Sequence, residues 1–157
     1  ERGVRMGAGA LELRELSLDD VEAVKARMVE IFSGEPWNDH WEDPEQLHQY
    51  MLELMGNPNS LSFGLFRGGE LIGICLGRIR HWYTGTEFWI DELGLVPGAQ
   101  GAGVGREFLG RVETALKQRK LTGIVLITDR TMPAYGFYQK QGFEELKTQV
   151  LFAKELG

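Results

Sequence analysis

The chain reads as an α/β protein in which strands and helices interleave within one domain. Three observations carry this reading. Short runs with period-two alternation and runs with 3.6-residue apolar stripes follow one another in the order β α α β β β α β α β β. The stretch from Asp91 to Arg106 joins a strand-like run to a helix through a glycine-rich turn. At 157 residues the chain fits one domain, expected to span 1–157, with residues 1–9 unstructured or of artificial origin.

Taken in order, residues 10–16 alternate (Leu11 and Leu13 against Glu12 and Arg14) as an edge strand would. Ser17, with Asp20 three residues later, caps a helix carrying Val21, Val24, Met28, Ile31 and Phe32 on its apolar face. Gly34-Glu35-Pro36 stops it. Asp43-Pro44-Glu45-Gln46 starts a second helix, with a cap and a proline in the first turn; its stripe is Leu47, Tyr50, Met51, Leu54 and Met55. Strands are expected over 61–66, 71–82 and 88–96, the first two joined by a hairpin turn at Arg67-Gly68-Gly69-Glu70. A helix over 103–120 repeats Val104, Phe108, Val112 and Leu116. A buried-type strand over 123–128, a helix over 133–141 and a final strand pair over 143–146 and 149–153 complete the count.

Hydrophobic content of 43% and charged content of 25% are ordinary for a globular protein. No apolar run approaches the ~18 residues of a membrane span, and no apolar leader segment is visible. A net charge of −6 argues against nucleic acid as partner and for a cationic substrate. The single cysteine, Cys75, lies in an apolar strand pattern and reads as a core thiol; a cytoplasmic setting is the simplest one for such usage. His40, His48 and His81 lack metal-ligand spacing, so no metal is expected.

Strand, glycine turn and helix N-terminus together form an anion site, because free N–H groups and the positive end of the helix dipole converge there. A Walker loop needs Gly-Lys-Ser/Thr at its end, where the chain has Gly103-Val104-Gly105-Arg106. A dinucleotide fingerprint needs a third glycine where Phe108 stands. The pattern Q/R-x-x-G-x-G/A does fit, as Gln100-Gly101-Ala102-Gly103-Val104-Gly105. A second segment, Pro133-Ala134-Tyr135-Gly136-Phe137-Tyr138-Gln139-Lys140-Gln141-Gly142-Phe143, follows one helix and one strand later. Together the two segments resemble the GNAT superfamily of acyl-CoA N-acyltransferases, closely over residues 88–143.

The resemblance implies a mixed sheet of about seven strands with a parallel centre, helices on both faces and splayed strands at a cofactor cleft. It implies acetyl-CoA as co-substrate. The backbone of Leu93, Leu95 and Val96 would pair with the pantetheine arm, and the amides of Gln100, Gly101, Ala102, Gly103, Val104 and Gly105 would hold the pyrophosphate. Thr131 stands where the family often has an asparagine that contacts that arm. Tyr138, in register with the family's tyrosine, would protonate the leaving thiolate; the alternative is a tyrosine packed on the sheet.

Acetyl transfer to an amine also needs a base, since a lysine-like ammonium has a pKa near ~10.4. Asp91 and Glu92 are consecutive carboxylates in an apolar strand and, by alternation, point to opposite faces. Glu92 is the favoured base, with Asp91 and Glu87 as fallbacks; an ion pair with Arg78 or Arg80 is the competing structural role. The acceptor is expected at the loop Trp37 to Glu42, where Trp37 and Trp41 offer faces for a cation and Asp39 and Glu42 offer charge, with Asp91 nearby. His81, Trp82 and Tyr83 would form the opposite wall. A Glu-Pro-Trp-Asn stretch at this place is similar to a GNAT branch with aminoglycoside-acetyltransferase-like members. The expected partner is a small-molecule amine, with no membrane and no nucleic acid; the sequence also allows a homodimer, a peptide amine as acceptor, or a non-catalytic acyl-CoA-binding module.

Overall fold

In the computed structural model the described residues are 9–157, so the expectation for residues 1–9 falls almost wholly outside them. After Ile127 the chain divides into two compact units, and each is described by itself.

The first unit is one sheet of five strands in the order β1 (Leu11–Leu16), β2 (Ser60–Arg67), β3 (Glu70–Trp82), β4 (Gly85–Leu95), β5 (Gly123–Leu126). The first three pairings are antiparallel and β4–β5 is parallel. Three helices belong to this unit: α1 (Val21–Phe32), α2 (Pro44–Met55) and α3 (Val104–Gln118). A 3₁₀ turn, Leu18–Asp20, leads into α1. It starts where the sequence says it should: the Asp19 N–H donates to Ser17 Oγ at 3.2 Å, and the Ser17 N–H donates to the Asp20 carboxylate at 2.9 Å. Asp43 does the same for α2, its carboxylate accepting from the Glu45 N–H at 3.0 Å.

Helices cover both faces. A side chain added at Gly94 would meet Ile31 and Phe32 of α1, whereas one at Gly73 would meet Leu95 of β4 and Phe108 of α3. The α3 face of the sheet carries Phe63, Leu65, Cys75 and Phe88, all at most 3% exposed. Cys75 is wholly buried, and burial pushes its thiol pKa up, so it is a core residue and no nucleophile.

The β3–β4 ladder contains the fold's main irregularity. Leu76 is opposite Glu92, yet Gly77 is opposite Ile90, so Asp91 is an extra residue in β4, a β-bulge. Gly77 answers it from β3. A Cβ there would lie 2.5 Å from the Trp89 carbonyl oxygen and 2.6 Å from the Phe88 ring.

The second unit, Thr128–Gly157, holds α4 (Pro133–Lys140), which stops before Gly142 at φ 92. Tyr135 donates to Glu145 at 2.7 Å, and Arg130 pairs with the same carboxylate. The sheet therefore has five strands among the described residues rather than about seven. The expected final pair, 143–146 and 149–153, is absent: one turn bond, Gln149 N–H to Leu146 carbonyl at 3.1 Å, reverses the chain, but no ladder follows it. An apolar run can have the composition of a strand; only an edge to pair with makes it one.

Gly77→Ala should destabilise the chain by about 1–3 kcal/mol, the usual cost of forcing atoms into a packed site. A urea transition with a lower midpoint and unchanged m-value would show it; an unshifted midpoint would contradict the close approach.

Candidate active site

Strand β4 changes role partway along. Up to Ile90 it is paired on both sides, with β3 and, over Glu87–Ile90, with β5. Beyond Ile90 its outer edge has no strand partner among the described residues. The bulge decides which backbone groups that edge presents. Before it, the outward groups belong to even residues, since the Thr86 carbonyl accepts from the Thr122 N–H at 2.8 Å. After it the parity switches: the Val96 N–H turns inward to the Ile72 carbonyl at 2.9 Å. In an antiparallel ladder, alternate residues turn their N–H and C=O away from the partner strand. Leu93 and Leu95 are those residues. The Leu95 carbonyl already accepts from the Gln100 side-chain amide at 3.2 Å. Val96 differs from its expected companions, because its N–H serves Ile72 and its carbonyl accepts from Ala99 at 2.9 Å. Its backbone is committed within the chain.

The edge runs into the glycine loop. A 3₁₀ turn, Pro97–Ala99, precedes Gln100, and Gly101, Ala102 and Gly103 then take φ values of 90°, 54° and 77°. Such left-handed backbone is routine for glycine and strained for alanine, at about 1–3 kcal/mol. Three successive residues of this kind turn their N–H groups to one side, and none of the three donates to a backbone acceptor among the described residues. Gly103 is the N-cap of α3, which has no side-chain cap. Gln100 donates its N–H to the Pro97 carbonyl at 3.3 Å, Val104 buries its side chain and donates its N–H to the Gly101 carbonyl at 3.2 Å, and Gly105 is half-buried. This is a cradle for an anion, built at the positive end of a helix.

On the face of β4 under α1 and α2 lies an acidic group that strict alternation would not have assembled. Leu76 and Arg78 share one face of β3; Glu92 is opposite Leu76, and Arg78 reaches Asp91. Asp91 and Glu92 therefore point the same way, not to opposite faces, because the bulge absorbs one residue of the alternation. The ion pair expected as the competing role exists, but Asp91 takes it.

Glu92 is held by a residue that the sequence reading placed only in an apolar stripe. Tyr50 of α2 donates its hydroxyl to Glu92 Oε2 at 2.5 Å. Its ring stacks on Trp41, centroids 5.5 Å apart and planes 26° apart. A phenol within an otherwise aliphatic stripe was the available signal. Burial raises the Glu92 pKa; the Tyr50 hydrogen bond opposes this, and the negative charges of Asp39 and Asp91 add to it. Tyr50 is likewise raised, by burial first and by its bond to Glu92 second.

The loop before α2 contributes Asp39, exposed, and the two tryptophans. Trp37 packs edge-on against Phe32 at 5.9 Å, and Trp41 gives one face to Tyr50, so both anchor the loop to the core. Glu87, a fallback base, accepts from Trp89 Nε1 at 2.9 Å. His48 lies 3.1 Å from Lys25 Nζ, while His40 and His81 are exposed. No group of three metal-ligating side chains occurs among the described residues.

In the second unit, the Thr131 N–H and hydroxyl both bond to Asp129 Oδ1, at 2.8 and 2.7 Å, in the turn before α4. Tyr138 packs edge-on against Phe137 and Phe143, each at 5.5 Å.

An unpaired strand edge that runs into an anion cradle, beside a half-buried carboxylate, is the arrangement that the GNAT resemblance implies. Comparison with known proteins agrees. The model of the acetyltransferase (GNAT) family matches residues 21–143. A mycothiol acetyltransferase of Acidothermus cellulolyticus is 30% identical over a 150-residue match that covers 86% of this chain and 45% of that protein. The chain thus spans less than half the length of that relative. Among solved structures, the aminoglycoside acetyltransferase AAC(6')-Iy, in complex with a bisubstrate analogue, CoA-S-monomethyl-acetylneamine, has a TM-score of 0.73 at 16% identity, over 94% of this chain and 100% of that one. A possible acetyltransferase from Clostridium difficile 630 gives 0.79 at 12% identity, over 94% and 99%. At such identities these structures show a shared fold. The chain belongs to the acetyltransferase (GNAT) family.

The raised pKa of Glu92 has a consequence for stability. The folded chain keeps a proton that the unfolded chain releases, so this group's contribution is full below the ordinary value of 4.5 and is lost as pH rises through the folded value. Measured against Glu92→Gln, the wild type should therefore lose relative stability as pH rises from about 4 to 8. Denaturant midpoints of both proteins across that range test this; a pH-independent difference would contradict the raised pKa.

Proposed function

We propose that this domain acetylates a primary amine of a small acceptor that arrives as a cation, by direct attack within a ternary complex. The observation that carries the proposal is the outer edge of β4 beyond Ile90, which continues into the left-handed loop at Gly101–Gly103. The outward backbone of Leu93 would pair with the pantetheine arm, and Leu95 would do so by exchanging its Gln100 contact. The amides of residues 100–105 would hold the pyrophosphate, those of Gln100 and Val104 by exchanging their turn contacts with Pro97 and Gly101, each such charge-assisted bond contributing about 1.5–3 kcal/mol.

Glu92 is the proposed base. A carboxylate whose pKa lies above its ordinary range accepts a proton from an ammonium at smaller cost. The freed amine attacks the thioester carbonyl, the attacking nitrogen gives up its extra proton to solvent, the oxyanion collapses, the C–S bond breaks and the thiolate takes a proton. Tyr138 is the proposed donor of that proton, on its place in the Phe137-Tyr138 motif; Thr131 is retained as a pantetheine contact on the same ground. Asp39 and Asp91 supply the charge that draws the acceptor, with Trp37 and Trp41 as the floor of its site. The family match crosses Ile127 into the second unit, which supports reading the chain as one catalytic domain. The structural neighbours solved with aminoglycoside ligands favour a small aminoglycoside- or polyamine-like acceptor over a peptide amine.

A panel of amines with acetyl-CoA, followed by thiol release, tests the reading. Glu92→Gln should lower kcat by about 10²–10⁴-fold at neutral pH, the usual share of a general base. Tyr138→Phe should lower kcat with CoA affinity nearly unchanged. Wild-type kcat in both variants would remove the two assignments; no acetylation of any amine would sink the proposal.

A further inference from the structure

The face of the sheet that presents Glu92 continues along β3 and β4 toward their hairpin. Its next charged residue is Arg78, bound to Asp91. Beyond that comes Arg80, and Arg80 is different. Its guanidinium lies 4.6 Å from the centroid of Trp89 and 5.7 Å from that of Trp82, held between two indoles. It is half-buried, and no carboxylate lies within ion-pair distance of it among the described residues. The chain does not lack acids, with 23 against 17 basic residues. One stands directly opposite: Glu87 is the cross-strand neighbour of Arg80, but its carboxylate accepts from Trp89 Nε1 instead. Glu87 thus fixes the indole that carries the arginine and leaves the arginine's charge unneutralised.

Cation–π contacts orient a guanidinium through its flat faces and leave the in-plane N–H donors for another partner. A planar fork of donors, preset in orientation, suits a carboxylate in two-point contact. We propose that Arg80 binds a carboxylate of the acceptor, so that the acceptor is an amine that also carries an acid group. This rests on the acetyl-transfer reading above but replaces its aminoglycoside- or polyamine-like acceptor with an amino acid: the amine goes to the Glu92 end of the face and the acid to the Arg80 end. Arg80 lies four residues along β3 from Leu76, the partner of Glu92, and its guanidinium leans back over Trp89. At ~3.3 Å per residue the two groups are about 7–13 Å apart. A short ω-amino acid, or the two ends of a dipeptide-sized molecule, spans that interval. A polyamine would instead place a second cation against Arg80.

The test compares ω-amino acids of increasing chain length with n-alkylamines and α,ω-diamines of matched length, using acetyl-CoA and thiol release. The full-length wild type should show KM values at least tenfold lower for amino acids than for matched diamines, with an optimum chain length. Arg80→Ala should erase that difference while leaving KM for n-alkylamines and for acetyl-CoA unchanged. Arg80→Glu should reverse it in favour of diamines, which separates charge recognition from a folding defect. Turnover of simple amines with no carboxylate preference, or a preference that survives in both variants, would overturn this proposal alone. No turnover of any amine would overturn it together with the acetyl-transfer reading.

Discussion

One extra residue in β4 sets the geometry on which the site depends. Without the bulge at Asp91, strict alternation would send one of the two carboxylates into the α3 face, among Phe63, Leu65 and Phe88. A carboxylate in that layer would have no charge partner and would cost several kcal/mol. With the bulge, Asp91 and Glu92 share the α1–α2 face, where Arg78 and Tyr50 meet them. The same residue switches the parity of the backbone, so that Leu93 and Leu95 turn their polar groups outward on the stretch that β5 does not cover. Side-chain chemistry and backbone docking are thus two results of a single register shift. Gly77 permits it, because only a residue without Cβ lets β3 lie so close to Trp89 and Phe88.

Strain and burial are concentrated around this point. Ala102 holds a left-handed conformation in the loop where glycines on either side already do so, which keeps the amides converging ahead of any ligand. Glu92 is kept partly desolvated by Tyr50, itself stacked on Trp41. The loop before α2 therefore acts on the carboxylate through a chain of contacts, Trp41 to Tyr50 to Glu92. Its tryptophans do structural work first, fixing the position of Asp39 relative to the sheet.

Much of this was legible in the sequence, and what was not has definite causes. Helix starts at Ser17 and Asp43 were readable because capping is local chemistry, written within four residues. The loop Gln100–Gly105 was readable because glycine has few other reasons to recur at that spacing. The bulge was not, since it is a property of two strands in register and the sequence shows one at a time; alternation misassigned Asp91 for that reason. Tyr50 was hidden in an amphipathic stripe, where a phenol reads as core until its hydroxyl is seen to reach Glu92 across 42 positions of chain. The last two strands failed for another reason: residues 143–146 and 149–153 are short apolar-containing runs that complete the expected element order, but no ladder forms over them.

The claim that underlies the rest is that a thioester cofactor docks by main-chain pairing with the uncovered edge of β4. Residue-resolved amide exchange, measured with and without coenzyme A, addresses it directly. The Leu93 amide and those of Gly101, Ala102 and Gly103 should exchange readily in the isolated protein and slow markedly when coenzyme A is added, while Gly94 and Glu92, directed into the β3 ladder, stay protected throughout. Coenzyme A that leaves Leu93 and the glycine loop exchanging as before would contradict it.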